Sequence, residues 1–106
     1  MIQPGDLRTR LVLQAPMETP DDQGGFTRDY QDVSVLWARL ESLRAQGGVE
    51  ADGQGATITH RMTLRGGVTF TTAHRFRLAA RIFRIVAYRD IEDGRFIEVD
   101  AQERIA

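Results

Sequence analysis

The chain has 106 residues, 42% hydrophobic and 27% charged, the balance of an ordinary folded domain able to bury roughly 65% of its unfolded surface without disulfides or metals. Its 14 basic residues, every one an arginine, and 15 acidic residues leave a net charge of −1, which excludes a global field that would attract a polyanion. There is no cysteine, so neither a disulfide framework nor a thiolate metal site can form, and no apolar run approaches the length of about eighteen residues that a membrane span needs.

Met1–Ile2 leads into polar residues, so no secretory signal is expected and the chain reads as one made and folded in a cytosol. The first periodic run, Arg8–Gln14, sets Thr9, Leu11 and Leu13 on one side and Arg8, Arg10, Val12 and Gln14 on the other. Pro16 and Pro20 are predicted to end it. Glu18–Asp32 then reads as a turn-rich excursion, with a hairpin around Gln23–Gly24–Gly25. Val33–Ser42 alternates Leu36, Ala38 and Leu40 against Val35, Trp37 and Arg39. Apolar residues on both faces predict a strand covered on each side, or one closed into a barrel.

Leu40–Ala45 admits one helical turn. The stretch that follows, Gln46, Gly47, Gly48, Val49, Glu50, Ala51, Asp52, Gly53, Gln54 and Gly55, is rich in glycine and short of side chains that pack on one another. Loops of this kind inside a small domain are functional or disordered. Beyond it lies the clearest period of two in the chain. Ile58, His60, Met62 and Leu64 share one face, and Thr57, Thr59, Arg61, Thr63 and Arg65 share the other, with threonines that favour strand. Gly66–Gly67 marks a turn, and Val68–Thr72 admits a short helix. Strands follow at His74–Leu78, Ile82–Arg89 and Phe96–Ala101, the last two joined by the hairpin signal Asp93–Gly94. No helical stripe runs longer than about two turns. The pattern predicts one all-β domain spanning the chain: a small closed or partly closed barrel of about six antiparallel strands, with the Gly-rich loop between strands two and three.

The residues that carry chemistry do not assemble into a reaction. His60, on an apolar face, reads as a hydrogen-bonded core or interface histidine, and His74 as a strand-edge residue. No HxH, HxxxH or cysteine spacing supplies the further ligands of a metal. Ser34 and Ser42 sit inside or at the end of a strand, outside any nucleophile motif. Asp21, Asp22, Asp29 and Asp32 miss the calcium-loop spacing, and Asp52–Gly53–Gln54–Gly55 lacks the Gly-Lys-Ser/Thr ending of a phosphate loop. Neither an enzyme nor a cofactor is expected. Arg75, Arg77, Arg81, Arg84 and Arg89 alternate with Phe76, Phe83 and Tyr88, a mixture that nucleic-acid barrels use. Phe76 and Phe83 nevertheless read as core, and Glu98–Asp100 is placed to neutralise several of the arginines by hairpin pairing.

Taken in order, several short segments resemble one family. They are Gly5–Asp6–Leu7–Arg8–Thr9–Arg10, the turn Asp22–Gln23–Gly24–Gly25–Phe26, Leu36–Trp37–Ala38–Arg39–Leu40, Thr59–His60–Arg61–Met62–Thr63–Leu64–Arg65, and Arg81–Ile82–Phe83–Arg84–Ile85. The series is similar to the head–tail joining family of tailed bacteriophages, whose head-closure or stopper proteins also occur in gene transfer agents. The resemblance implies a virion protein at the head–tail interface, assembled in the host cytoplasm as a ring of six or twelve copies below the portal and its adaptor. It implies partners in the portal–adaptor complex and in the tail terminator and tail proteins. Double-stranded DNA would pass through the ring without sequence-specific contact, and no membrane is involved. The loop across Gln46–Gly55 would project into the channel and gate it, with Glu50 and Asp52 supplying carboxylates. Arg61 and Arg65 are the candidates for contacts between subunits. Two alternatives stand beside this one: a small barrel that binds single-stranded nucleic acid, and another connector component such as a tail terminator.

Overall fold

Apolar residues recurring on one face of successive strands, with bulges at Leu13/Gln14 and Ile85/Ala87, line the inside of a barrel. The computed structural model describes residues 2–43, 49–50 and 57–104. Its strands are β1 (Thr9–Pro20), β2 (Phe26–Ser42), β3 (Val49–Glu50), β4 (Thr57–Ile58), β5 (His60–Arg65), β6 (Arg75–Leu78), β7 (Arg81–Ile91) and β8 (Phe96–Arg104), preceded by a 3₁₀ turn at Pro4–Asp6. Six of them form a closed barrel in the order β1-β2-β5-β8-β7-β6, and β3 and β4 form a separate two-stranded ribbon. Every pairing is antiparallel, and closure comes from β6 returning to β1, with Leu13 opposite Phe76.

The barrel is filled by its own side chains. Leu11 and Leu13 from β1, Ala38 from β2, Met62 and Leu64 from β5, Phe76 from β6, Phe83 and Ile85 from β7, and Ile97, Val99 and Ala101 from β8 are buried together. Removing these apolar surfaces from water is the main force holding the sheet closed. Phe70 completes the core from the segment between β5 and β6, edge-on to Phe76 at 5.9 Å between ring centroids. That segment is irregular where the sequence admits a helix at Val68–Thr72. Burying one phenyl ring at the barrel end decides its path.

The prolines do not end the first strand. β1 continues through Pro16 to Pro20, paired with β2 all the way to Phe26. Past Gln14 it has no neighbour on its β6 side, and a residue lacking an N–H is tolerated on such an edge. Likewise β2 begins at Phe26, seven residues before the run read from the sequence. Its early part, Thr27–Asp32, is polar because both of its faces meet water, so no alternation was there to see. Val33–Ser42 is covered on one face only. Leu36, Ala38 and Leu40 turn inward, while Val33, Val35 and Trp37 are exposed. Leu40–Ser42 belongs to β2, not to a helical turn; Arg44 and Ala45 lie outside the described residues.

The DG signal locates the β7–β8 turn, though its geometry extends one residue further back. Glu92, Asp93 and Gly94 all have positive φ, at 50°, 58° and 80°. The Gly94 and Arg95 amides donate to the Ile91 and Glu92 carbonyls. This turn meets the end of β5 closely. The Gly66 amide donates to the Arg95 carbonyl at 2.8 Å, and a Cβ on Gly66 would lie 2.0 Å from the Gly94 carbonyl oxygen.

Candidate assembly surfaces

Two ribbons leave the barrel. The first is the outer half of β1–β2. Met17, Glu18, Thr19 and Pro20 on one strand and Phe26, Thr27, Arg28 and Asp29 on the other are all exposed. Asp21 closes its tip, its Oδ1 accepting from the Gln23 and Gly25 amides at 2.9 and 2.8 Å. A buried polar bracket holds its root, where β1 carries a bulge at Leu13/Gln14. There the Gln14 amide nitrogen donates to Asp32 at 2.7 Å, and the Gln14 carbonyl oxygen accepts from Arg75 Nε at 2.7 Å. Arg75 also stacks 3.7 Å above the centre of the Tyr30 ring. A glutamine that is both donor and acceptor suits this place, because each of its amide ends finds a partner.

The second ribbon is the stem of the Gly-rich loop, with Val49 opposite Ile58 and Glu50 opposite Thr57. Its roots are pinned to the barrel. The Leu43 amide donates to the Thr59 carbonyl at 2.8 Å, and the Thr59 amide to the Ala101 carbonyl at 2.9 Å. Of the ten residues assigned to a gate, Val49 and Glu50 thus lie in the stem. Gln46, Gly47, Gly48, Ala51, Asp52, Gly53, Gln54 and Gly55 lie outside the described residues.

Arginine–carboxylate pairs cover the outside of the barrel. Asp100, almost fully buried on the outer face of β8, accepts from Arg61 Nε at 3.1 Å and from the Arg89 guanidinium. Arg89 also reaches Glu98. Arg81 forks onto Glu103 through Nε at 2.7 Å and a terminal nitrogen at 3.0 Å. The hydrogen bond to Asp100 holds the Arg89 guanidinium above its ordinary pKa, and the bond to Glu103 does the same for Arg81. Of the five arginines that Glu98–Asp100 was expected to help neutralise, it reaches only Arg89 among the described residues; Arg77 pairs with Asp32 and Arg81 with Glu103. Arg61 makes its described pair inside its own chain. Arg65 is exposed and borders a shallow hollow of about 390 Å³ with Pro4, Leu7, Arg8 and Trp37.

His60 is buried, its Nδ1 2.9 Å from Thr59 Oγ1 and its ring edge-on to Phe83 at 5.1 Å. Phe76 and Phe83 are both fully buried. Phe76 and Phe83 thus face the inside of a barrel wall whose outside carries the arginines, whereas Tyr88 is exposed and rests against Phe70. A further hollow of about 270 Å³ lies between the ribbon and β6–β7. Arg28, Tyr30, His74, Arg75, Arg84 and Arg104 are among its walls, and no carboxylate lines it among the described residues. Sequence reading did not single out this hollow, since Arg104 and Arg28 are far from β6 in the chain and alternate with nothing.

Two comparisons with known proteins bear on the family and a third on the fold alone. The family model of the phage head completion protein matches residues 2–104. A chain from the virion of a native gene transfer agent particle is 28% identical, with a TM-score of 0.67, over 94% of this chain and 97% of that one. Protein SF1141 from Shigella flexneri 2a shares the fold, with a TM-score of 0.75 at 19% identity over 96% of each chain. Among curated protein sequences none matches significantly.

Proposed function

The chain belongs to the phage head completion protein family, a structural and non-enzymatic one, and from that premise we propose that it is the head-closure component of a head–tail connector. In this reading it is a virion protein that assembles as a ring below the portal and adaptor, closes the DNA channel and presents a surface to the tail. One observation carries the reading: the barrel has no lumen, because side chains fill it. Any channel must therefore run between copies. The parts that extend furthest toward a neighbour or a shared axis are the two ribbons that leave the barrel wall.

The loop across Gln46–Gly55 is the gate, held at its base by the pairing of Val49–Glu50 with Thr57–Ile58. Glu50 and Asp52 from each copy would line the opening with negative charge, which repels DNA phosphates and keeps the duplex from sticking to the wall. Arg65, beside the hollow at Trp37, and Arg61, beside Asp100, are the residues assigned to contacts between copies. Such ring contacts are heterologous, so two different patches must fit each other.

Deleting Gln46–Gly55 tests the gate. No barrel strand includes any of these residues, so the purified chain should keep its fold. Particles carrying the deletion should package DNA and then lose it. Particles that retain DNA as well as the parent would remove the gate role.

A further inference from the structure

The molecule carries two oppositely charged features whose charges are only partly paired among the described residues. The first is the arginine hollow. Six of the chain's fourteen arginines are matched by carboxylates: Arg28 by Glu18, Arg39 by Glu41, Arg61 and Arg89 by Asp100, Arg77 by Asp32 and Arg81 by Glu103. Arg75, Arg84 and Arg104 have no carboxylate within ion-pair distance among the described residues, and all three line the same hollow with His74. Three convergent guanidiniums repel one another, and an anionic oxygen between them relieves that repulsion.

The second feature is the β1–β2 ribbon. Between Ala15 and Asp32 it holds Glu18, Asp21, Asp22, Asp29 and Asp32 against the single arginine Arg28. Glu18, Asp21 and Asp32 are engaged within the chain, whereas Asp22 and Asp29 are exposed and bind nothing among the described residues. The tip also shows Phe26, 67% exposed, and Met17, 47% exposed. A two-stranded ribbon wet on both faces is at best marginally stable alone, and its apolar residues gain from being covered.

We propose that the acidic tip of this ribbon docks in the arginine hollow of a neighbouring copy, with Asp22 and Asp29 set against Arg75, Arg84 and Arg104. The inference rests on the ring reading above and names its contact. The pairing is heterologous: each copy offers one ribbon and one hollow, and repetition links copies in a single direction. Arg75 ties the two features together, because it lines the hollow and also brackets the root of its own ribbon through Gln14 and Tyr30. A neighbour's carboxylate on Arg75 therefore bears on the angle at which the next ribbon leaves.

Disulfide trapping in assembled particles tests this directly, since the chain has no cysteine of its own. A chain carrying Gln23→Cys at the tip and Ala73→Cys at the hollow keeps every charge involved. Oxidised particles should give a ladder of linked copies on a non-reducing gel. Particles that contain the chain in normal amount yet yield only monomers would overturn the contact while leaving the ring reading intact. A ladder from Arg95→Cys with Ala73→Cys instead would assign the hollow to the other acidic turn, at Asp90–Asp93, and overturn it too. Absence of the wild-type chain from particles would defeat the ring reading itself.

Charge reversal supplies the second measurement. Arg84→Glu with Arg104→Glu, both exposed positions, should lower incorporation into particles by roughly tenfold. Adding Asp22→Arg and Asp29→Arg should recover most of it. Unimpaired incorporation of the arginine variant, together with loss of binding to a short DNA duplex by the isolated chain, would assign the hollow to phosphate and refute the proposal.

Discussion

Gly66→Ala should be among the most damaging single-methyl changes in the barrel. The added Cβ would sit 2.0 Å from the Gly94 carbonyl oxygen, where real Cβ atoms do not come within 3.0 Å of a neighbour. The obstacle is backbone, held by the Gly94 and Arg95 amide bonds of the β7–β8 turn, so it cannot swing aside as a side chain would. Overpacking costs about 1–3 kcal/mol, and parting the strands far enough also loses the Gly66–Arg95 hydrogen bond, about 1 kcal/mol. A total of about 3 kcal/mol lowers the melting temperature of a domain this size by about 15 °C. Thermal unfolding followed by circular dichroism reads this out. Gly67→Ala is the control: its φ is +90° but a Cβ there meets open space, so only left-handed strain applies, about 1–2 kcal/mol. If Gly66→Ala melts no lower than Gly67→Ala, the close approach of β5 to the β7–β8 turn is wrong.

Three other outcomes follow from the same geometry. Gln14→Ala removes the bracket between Asp32 and Arg75 and should destabilise by about 2–3 kcal/mol, with hydrogen exchange speeding up first in residues 15–20 and 26–32. Asp100→Ala should cost about 1–3 kcal/mol in denaturant unfolding, since Arg61 and Arg89 are partly exposed and regain water. Arg89→Ala should cost less, because Asp100 keeps Arg61. Trp37, the only tryptophan, is 55% exposed, so the free chain should emit at long wavelength. Emission that shifts to the blue on assembly would show the outer face of β2 being covered; no shift would leave that face outside every interface.

The parts of the fold that were legible in the sequence are those where apolar residues take one face and polar residues the other. Ile58, His60, Met62 and Leu64 alternate with threonine and arginine, and the structure buries all four. Phe76 and Phe83 were readable as core because Leu78, Ile82 and Ile85 surround them. The projecting ribbon was not legible, for the opposite reason. With both faces in water, Thr27–Asp32 carries no periodic signal, and Pro16 and Pro20 read as breakers unless one knows that the strand there lies at an edge. The exposure of Val33, Val35 and Trp37 was likewise hidden, since an apolar outer face looks the same whether the same chain or another copy covers it. The arginine hollow was out of reach because it joins β2, β6, β7 and the end of β8, positions that only the closed barrel brings together.

The central claim is that this chain works as one of several identical copies encircling the path of DNA where head meets tail. Reconstruction of purified particles by electron microscopy, with the chain identified by an added tag, tests it most directly. The account predicts a closed ring of copies on the axis below the portal, each fitted by the six-stranded barrel with its ribbon against the next copy. Finding the tag in the capsid shell or at the far end of the tail would contradict it.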